Sequence, residues 1–129
     1  MILDTNFLID LLNKKSDASK KLIELSESGI DCSIASPTIF ELFSGISSLK
    51  KTEDEKNNAI TLIGEQTIHE LDRDSAKIGG IVHGNLIKRG QTIGAVDCMI
   101  AGIALANKKA ILTNDSHFDR IEGLEVQKY

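Results

Sequence analysis

The sequence has no tryptophan, one proline and one tyrosine, and aromatic residues make up only 4% of its 129 positions. Its core must therefore be built from Ile, Leu, Val and Ala. No apolar run approaches the roughly 20 residues that a membrane span needs, so we expect no membrane association. Asp4 and Asp10 stand where a signal peptide would have its basic start and apolar stretch. We therefore expect a cytoplasmic protein.

Cysteine and positive charge are also scarce. Cys32 and Cys98 match no zinc or redox spacing, so we expect both to be buried and reduced. The 15 basic and 19 acidic residues give a net charge of −4, whereas proteins that bind nucleic acids usually carry a basic surplus. If four of the acids were gathered in one metal site, however, the remaining charges would balance. The charge therefore does not exclude a nucleic-acid partner.

Short apolar runs alternate with longer helical patterns along the chain, without repeats or linkers. This alternation predicts one α/β domain, residues 1–129, with a mainly parallel sheet of four to five strands. Strands are predicted at 1–4, 32–35, 67–71 and 110–113, with a fifth near 125–127. Helices are predicted at 6–12, 18–28, 37–49, 53–66, from 72 or 74 to 90, and at 95–108.

Several predicted helix boundaries depend on capping signals. Ser36 is a predicted N-cap before Pro37 in the first turn. Thr52 and Glu55 have the spacing of a capping box. The stretch GGIVHG, residues 79–84, places three glycines inside a predicted helix, and close packing against a neighbouring element would account for them.

Two acids follow predicted strands, where ligands and chemistry collect in parallel α/β sheets. They are Asp4, after the first strand, and Asp115, in the polar group that follows the fourth. Asn and Asp also favour ordinary turns, so Asp115 alone has a simple structural interpretation.

Two further acids lie on predicted helices. Asp97 is the only charge before the Lys pair of an otherwise apolar helix, and a buried carboxylate is costly unless it is neutralised, hydrogen-bonded or bound to metal. The alternative is a first-turn acid that interacts with the helix dipole. Glu41 projects off the apolar stripe of its helix, with Gly45 and Ser48 following on its own side. The alternative for Glu41 is a surface glutamate.

Together, the four acids can meet at one edge of a parallel sheet. Oxygen ligands without a His–Cys cluster suit Mg²⁺ or Mn²⁺. We therefore predict a metal site at Asp4, Glu41, Asp97 and Asp115. His117 is the histidine nearest these acids in sequence, and it is a candidate for substrate contact.

Four segments in order resemble the PIN-domain family, in particular the small VapC-type toxin ribonucleases. They are LDTNFLID, PTIFELFSG, GAVDCMIAGIAL and ILTNDSHF, and the resemblance covers essentially the full length. It implies a three-layer α/β/α PIN-like fold and a Mg²⁺- or Mn²⁺-dependent endoribonuclease whose catalytic and metal-binding acids are Asp4, Glu41, Asp97 and Asp115. It places Thr113 beside the site and Thr5 and Asn6 in the first motif, where we expect supporting contacts. It also implies an RNA substrate, a homodimer and inhibition by an antitoxin protein.

Two alternatives remain at this point. A PIN-like module that binds RNA or protein without cutting is one, although all four acids are present. A receiver-type phosphoacceptor domain is the other, and it also uses acids with Mg²⁺. It needs paired acids near the first strand, but Thr5 and Asn6 follow Asp4 here, and the second predicted strand ends in Ser36.

Overall fold

The structure is a computed structural model that describes residues 1–49 and 51–129. Strands and helices alternate along the chain. In chain order the elements are β1 (Ile2–Leu3), α1 (Thr5–Leu12), α2 (Ser16–Glu27), β2 (Ser33–Ala35), α3 (Ser36–Ser48), α4 (Glu53–Gly64), β3 (Thr67–His69), α5 (Arg73–Lys88), α6 (Ala95–Ala106), β4 (Ile111–Leu112), a 3₁₀ turn (Phe118–Arg120) and β5 (Val126–Gln127).

All five strands of the described sheet are parallel, in the order β3-β2-β1-β4-β5. The central strand β1 pairs with β2 on one side, where Leu3 lies opposite Ile34, and with β4 on the other, where Leu3 lies opposite Leu112. This sheet confirms the predicted α/β fold. It also brings the ends of β1 and β4 together, because parallel strands finish at one edge.

Alternate residues of the central strands enter separate hydrophobic cores on the two faces of the sheet. Ile2 and Ile111 pack with residues of α5 and α6, whereas Leu3 and Leu112 pack with residues of α1 and α2. Helices therefore cover both faces, as the three-layer prediction requires. Within the described residues, no helix is long and apolar enough to cross a membrane.

Helices α5 and α6 approach each other closely through glycine. A Cβ on Gly79 would lie 2.6 Å from the carbonyl oxygen of Cys98, and a Cβ on Gly102 would lie 2.7 Å from the backbone nitrogen of Gly79. Only Gly79 of the GGIVHG stretch has such a contact, because Gly80 and Gly84 face open space. The packing explanation for these glycines is therefore confirmed for Gly79 alone.

The capping predictions have mixed outcomes. The capping box of Thr52 and Glu55 is present, and Asp72 caps α5 through a capping box with Ser75. Ser36 is the first residue of α3 rather than its N-cap, which is Ala35. The Ser36 hydroxyl instead accepts a hydrogen bond from the backbone amide of Leu71, 3.1 Å away. The strands are also shorter than predicted, since β1 ends before Asp4.

Both cysteines are free, but only Cys98 is buried. The prediction of a buried Cys32 is wrong, because this residue lies just before β2 and is half-exposed. Burial among the apolar residues of α6 raises the pKa of the Cys98 thiol to about 11, so this thiol is protonated and unreactive at neutral pH.

Candidate active site

The four predicted acids all lie on segments that meet at the carboxyl end of the sheet. Asp4 is the residue between β1 and α1, and Asp115 follows β4. Glu41 lies in α3, which follows β2 directly, and Asp97 lies in the first turn of α6. We refer to these four residues as the carboxylate cluster. Electrostatic coupling links its members: Asp4 interacts with Glu41 and Asp97, and Asp97 with Glu41 and Asp115.

Asp4 is the most enclosed member of the cluster, with 3% of its surface exposed. Its carboxylate oxygen Oδ2 accepts a hydrogen bond of 2.7 Å from the hydroxyl of Thr113. The backbone amides of Thr5 and Asn6 also donate to this carboxylate. Burial raises the pKa of Asp4, and these three donors offset part of that rise. The side chain is thus held in one orientation at the first turn of α1.

Glu41 is half-buried and is held by a residue from another helix. The hydroxyl of Thr5, in the first turn of α1, donates a hydrogen bond to its Oε2 atom. Burial raises the pKa of Glu41, and the negative charge of Asp4 raises it further, while the bond from Thr5 lowers it. Glu41 is therefore not the freely solvated surface glutamate of the alternative interpretation.

Asp97 has features of both interpretations, the buried carboxylate of a metal site and the first-turn acid of a helix. Its carboxylate accepts from the backbone amide of Gly94, as a first-turn acid does. Its pKa is nevertheless raised, first by burial and then by the charges of Glu41 and Asp115. A Cβ on Gly94 would lie 2.9 Å from the Oδ2 atom of Asp97, so glycine leaves the space that this carboxylate occupies.

Asp115 lies in a turn organised by its neighbours. Its backbone amide donates to the Thr113 hydroxyl at 3.0 Å, so Thr113 links Asp115 to Asp4. The Oδ1 atom of Asp115 accepts from the backbone amide of His117 at 2.8 Å and lies 3.3 Å from its ring nitrogen Nδ1. His117 thus lies beside the cluster with its side chain half-exposed, and it stays a candidate for substrate contact.

The chemistry of the carboxylate cluster fits a divalent cation. In the part of the chain that the structure describes, no Lys or Arg forms an ion pair with any of its four members. The one basic side chain paired with a cluster member in these residues is His117, beside Asp115. Buried carboxylates without a Lys or Arg partner need another source of positive charge, and an oxygen donor set suits Mg²⁺ or Mn²⁺.

The side chains as they stand do not form a closed metal site. Among residues 1–49 and 51–129, no group of three or more Asp, Glu, His or Cys side chains is arranged to hold an ion. Mutual repulsion of the carboxylates opposes closer approach, and a cation would remove it. Small side-chain rotations would change the spacing of the carboxylates but not their charge or donor type.

The residues expected to support the acids differ in what they contact. Thr5 and Thr113 donate side-chain hydrogen bonds to members of the cluster, whereas Asn6 is exposed and contributes its backbone amide. Three surrounding residues were not among the predicted supporting residues. They are Gly94, whose amide donates to Asp97, and Asn114 and Tyr129, which hydrogen-bond to each other beside Asp115. A glycine three residues before Asp97 was a usable signal for Gly94, but no local pattern connects Asn114 with Tyr129.

An apolar groove of about 210 Å³ lies beside the carboxylate cluster, rather than at it. It begins one helical turn beyond the Thr5–Glu41 hydrogen bond, since Ile9 and Gly45 each follow these residues by four positions. Its apolar lining comes from α1 and α3 and from the residue after α3, and comprises Ile9, Leu12, Leu42, Ile46 and Leu49. The groove therefore lies on α3, which carries Glu41, and on α1, which begins directly after Asp4.

The fold and the carboxylate cluster together define the class of the protein. The family model described as PIN domain matches residues 1–124, and the chain belongs to this family. The membership confirms the resemblance that the four sequence segments carry, and it removes the support for a receiver-type domain.

Named relatives make the comparison more specific. The chain is 31% identical to the tRNA(fMet)-specific endonuclease VapC of Shigella flexneri, over 99% of this chain and 96% of that protein. It is 27% identical to the Ribonuclease VapC2 of Rickettsia felis, with the same coverage.

Solved VapBC structures are also similar to this chain. VapBC2 from Rickettsia felis, bound to a DNA fragment from its promoter, has a TM-score of 0.88 and 26% identity, covering 99% of this chain and 97% of that one. DNA-bound VapBC from Salmonella typhimurium has a TM-score of 0.86 and 26% identity, covering 98% and 96%.

Proposed function

We propose that the protein is a divalent-metal-dependent endoribonuclease and the toxin of a toxin–antitoxin pair. The observation that carries the proposal is that Asp4, Glu41 and Asp97 lie together with pKa values raised by burial and by neighbouring carboxylates. No Lys or Arg of the described residues pairs with the cluster. Such a cluster destabilises the fold unless a cation occupies it. Membership of the PIN-domain family and likeness to proteins named ribonucleases support RNA as the substrate.

In this proposal Asp4 and Asp97 hold the cation, while Glu41 and Asp115 complete its surroundings directly or through water. A bound Mg²⁺ or Mn²⁺ supplies an activated water and stabilises the leaving oxygen of the phosphodiester. Thr113 and the amides at the start of α1 fix the direction of the Asp4 carboxylate. Thr5 does the same for Glu41, which can then orient the attacking water.

The test is cleavage of a mixed RNA pool and of initiator tRNA with Mg²⁺, with Mn²⁺ and with EDTA. We expect cleavage with either metal, none with EDTA, and none by an Asp97→Asn variant. Asp74→Asn is the matched control, because Asp74 is also a first-turn acid, at the start of α5, but lies outside the cluster. RNA binding without cleavage by the folded wild type would favour the non-cleaving PIN-like module.

The apolar groove favours a second element of the proposal, namely docking of an apolar segment of the antitoxin. The solved relatives are VapBC assemblies, and the groove lies on the two helices that carry Thr5 and Glu41. Leu49→Lys would place a charge on the groove at an exposed position. We expect this variant to keep its RNA cleavage and to lose inhibition by the antitoxin. Unchanged inhibition would place the antitoxin elsewhere.

A homodimer remains part of the proposal, and analytical sedimentation measures the oligomeric state.

A further inference from the structure

Tyr129, which follows β5, contacts both sides of the candidate active site. The backbone amide of Tyr129 donates to Oδ1 of Asn114 at 3.1 Å, and Nδ2 of Asn114 donates to the backbone oxygen of Tyr129 at 3.0 Å. Both ends of the Asn114 amide are therefore used on one residue. Asn114 stands between Thr113, which binds Asp4, and Asp115, so this pairing holds the middle of the cluster's loop.

The side chain of Tyr129 reaches helix α1 on the other side. Its ring packs edge-on against Phe7, with 4.7 Å between ring centroids and 79° between planes, and Phe7 is fully buried. Its hydroxyl donates to Oδ2 of Asp10 at 3.0 Å. Asp10 is fixed in turn by Lys15, 2.7 Å away. Tyr129 therefore ties the loop before Asp115 to the helix that begins after Asp4.

The geometry points to Tyr129 as a positioning residue that, through Asn114, sets the distance between Asp115 and Asp4 and thereby the affinity of the carboxylate cluster for its divalent cation. The inference rests on the proposed function. Asp115 lies in a turn outside the strands. The segment after β5 contacts that turn a second time, because Nζ of Lys128 donates to the backbone oxygen of Asp115 at 3.3 Å. Loss of a residue that orients a metal ligand without contacting the metal typically lowers metal affinity by about 10- to 100-fold.

The test is the affinity of the metal-free protein for Mn²⁺, measured by calorimetric titration together with the melting temperature. Asn114→Ala removes the pairing, and we expect Mn²⁺ affinity to fall by about 10-fold or more. Tyr129→Phe keeps the pairing and the ring contact but loses the bond to Asp10, so we expect a smaller fall. The matched control is Asn107→Ala, which loses a 2.8 Å side-chain bond to the backbone oxygen of Ile103 at the end of α6. This variant should melt earlier with unchanged Mn²⁺ affinity.

Two substitutions of Asp10 separate the positioning of Tyr129 from the effect of the negative charge on Asp10. Asp10→Asn keeps an oxygen that accepts from the Tyr129 hydroxyl, whereas Asp10→Ala does not. We expect Mn²⁺ affinity close to wild type in the first and a fall matching Tyr129→Phe in the second.

Equal Mn²⁺ affinity in the wild type, Asn114→Ala and Tyr129→Phe would overturn the inference and leave Tyr129 a purely structural residue. If Asn114→Ala does not fold, Tyr129→Phe, Asp10→Ala and Asp10→Asn provide the test. Wild-type Mn²⁺ affinity in all three of these variants would then overturn the inference. Failure of the wild type to bind Mn²⁺ would instead contradict the proposed function, so the two failures are distinguishable.

Discussion

Helix α6 takes part in two regions that are held together in different ways. Along its length it packs against α5 through Gly79 and Gly102, with backbone atoms in direct contact and no charge involved. At its first turn it contributes Asp97 to the carboxylate cluster, where burial and like charges raise pKa values. The helix pair stabilises the fold, whereas the cluster costs stability. Desolvation and like-charge repulsion of this kind are characteristic of functional sites.

The largest effect is expected when Asp4 of the carboxylate cluster is neutralised, because RNA cleavage should be lost while the fold is kept. In Asp4→Asn the amide oxygen can still accept from Thr113, but the charge is gone. We expect RNA cleavage to fall by more than about 100-fold, the upper end for a residue that merely supports a metal ligand. In metal-free buffer the melting temperature should stay the same or rise, because a buried charge and its repulsion are removed. Cleavage rates and thermal unfolding check this, and a variant that unfolds would contradict it.

The converse change breaks the helix pair and leaves the cluster intact. In Gly102→Ala the new Cβ would collide with the backbone oxygen of Ser75 and lie 2.7 Å from the nitrogen of Gly79. Backbone atoms cannot move aside cheaply, so we expect a loss of about 1–3 kcal/mol or more in the free energy of unfolding, measured in urea.

Gly80→Ala is the control for that prediction. Gly80 lies on α5 beside Gly79 but faces open space. Alanine is the better helix former there, by about 0.5–1 kcal/mol. Equal destabilisation by both changes would mean that helix contact is not the reason for Gly102.

The pH dependence of stability tests the charge in the cluster. Burial raises the pKa values of Asp4, Glu41 and Asp97 above their ordinary values of 3.8 for Asp and 4.5 for Glu. The folded protein therefore holds protons that the unfolded chain has released. In metal-free buffer the free energy of unfolding should fall as pH rises from about 4 through the raised pKa values.

Mn²⁺ should restore stability at neutral pH, by about 2.7 kcal/mol at 100 times its dissociation constant. Thermal unfolding from pH 4.5 to 7.5, with and without Mn²⁺, measures both effects. Asp72 and Glu55, whose pKa values are lowered, the latter to about 2, act in the opposite direction but at lower pH. His69, whose pKa is lowered by burial, also acts in the opposite direction as pH rises towards 6.5, and the difference between the curves with and without Mn²⁺ removes its contribution. Stability that rises steadily with pH would contradict the assignment.

The smallest effect is expected away from both regions, at the start of α4. Thr52→Ala removes the capping box with Glu55 and should cost about 1 kcal/mol in the free energy of unfolding. RNA cleavage at a temperature well below unfolding should not change. A fall in cleavage would show that the cluster depends on α4 more closely than its contacts indicate.

The elements of the fold were predictable because they depend on local patterns. Short apolar runs gave the strands, and the Thr52–Glu55 spacing correctly located the start of α4. The prediction failed where a distant partner competed, as when Ser36 accepted a bond from Leu71 instead of capping α3. The strand order could not be read from the sequence, because pairing depends on contacts between distant segments.

The acids of the candidate site stand out in the sequence for a related reason. Asp97 interrupts an apolar helix and Asp4 ends an apolar strand, so each departs from its local pattern. The resemblance supplied Thr5 and Thr113, and the structure shows what each one binds. The Asn114–Tyr129 pairing was not predictable, because both residues look like ordinary loop or terminal residues and their contact crosses 15 positions.

Anomalous diffraction from crystals soaked in Mn²⁺ tests the central claim most directly. The claim is that Asp4, Glu41, Asp97 and Asp115 form one cation site. We predict a manganese peak bound by carboxylate oxygens of Asp4 and Asp97, with Glu41 and Asp115 coordinating it directly or through water. A protein that cleaves RNA with Mn²⁺ but shows manganese only at sites away from these residues would contradict the account.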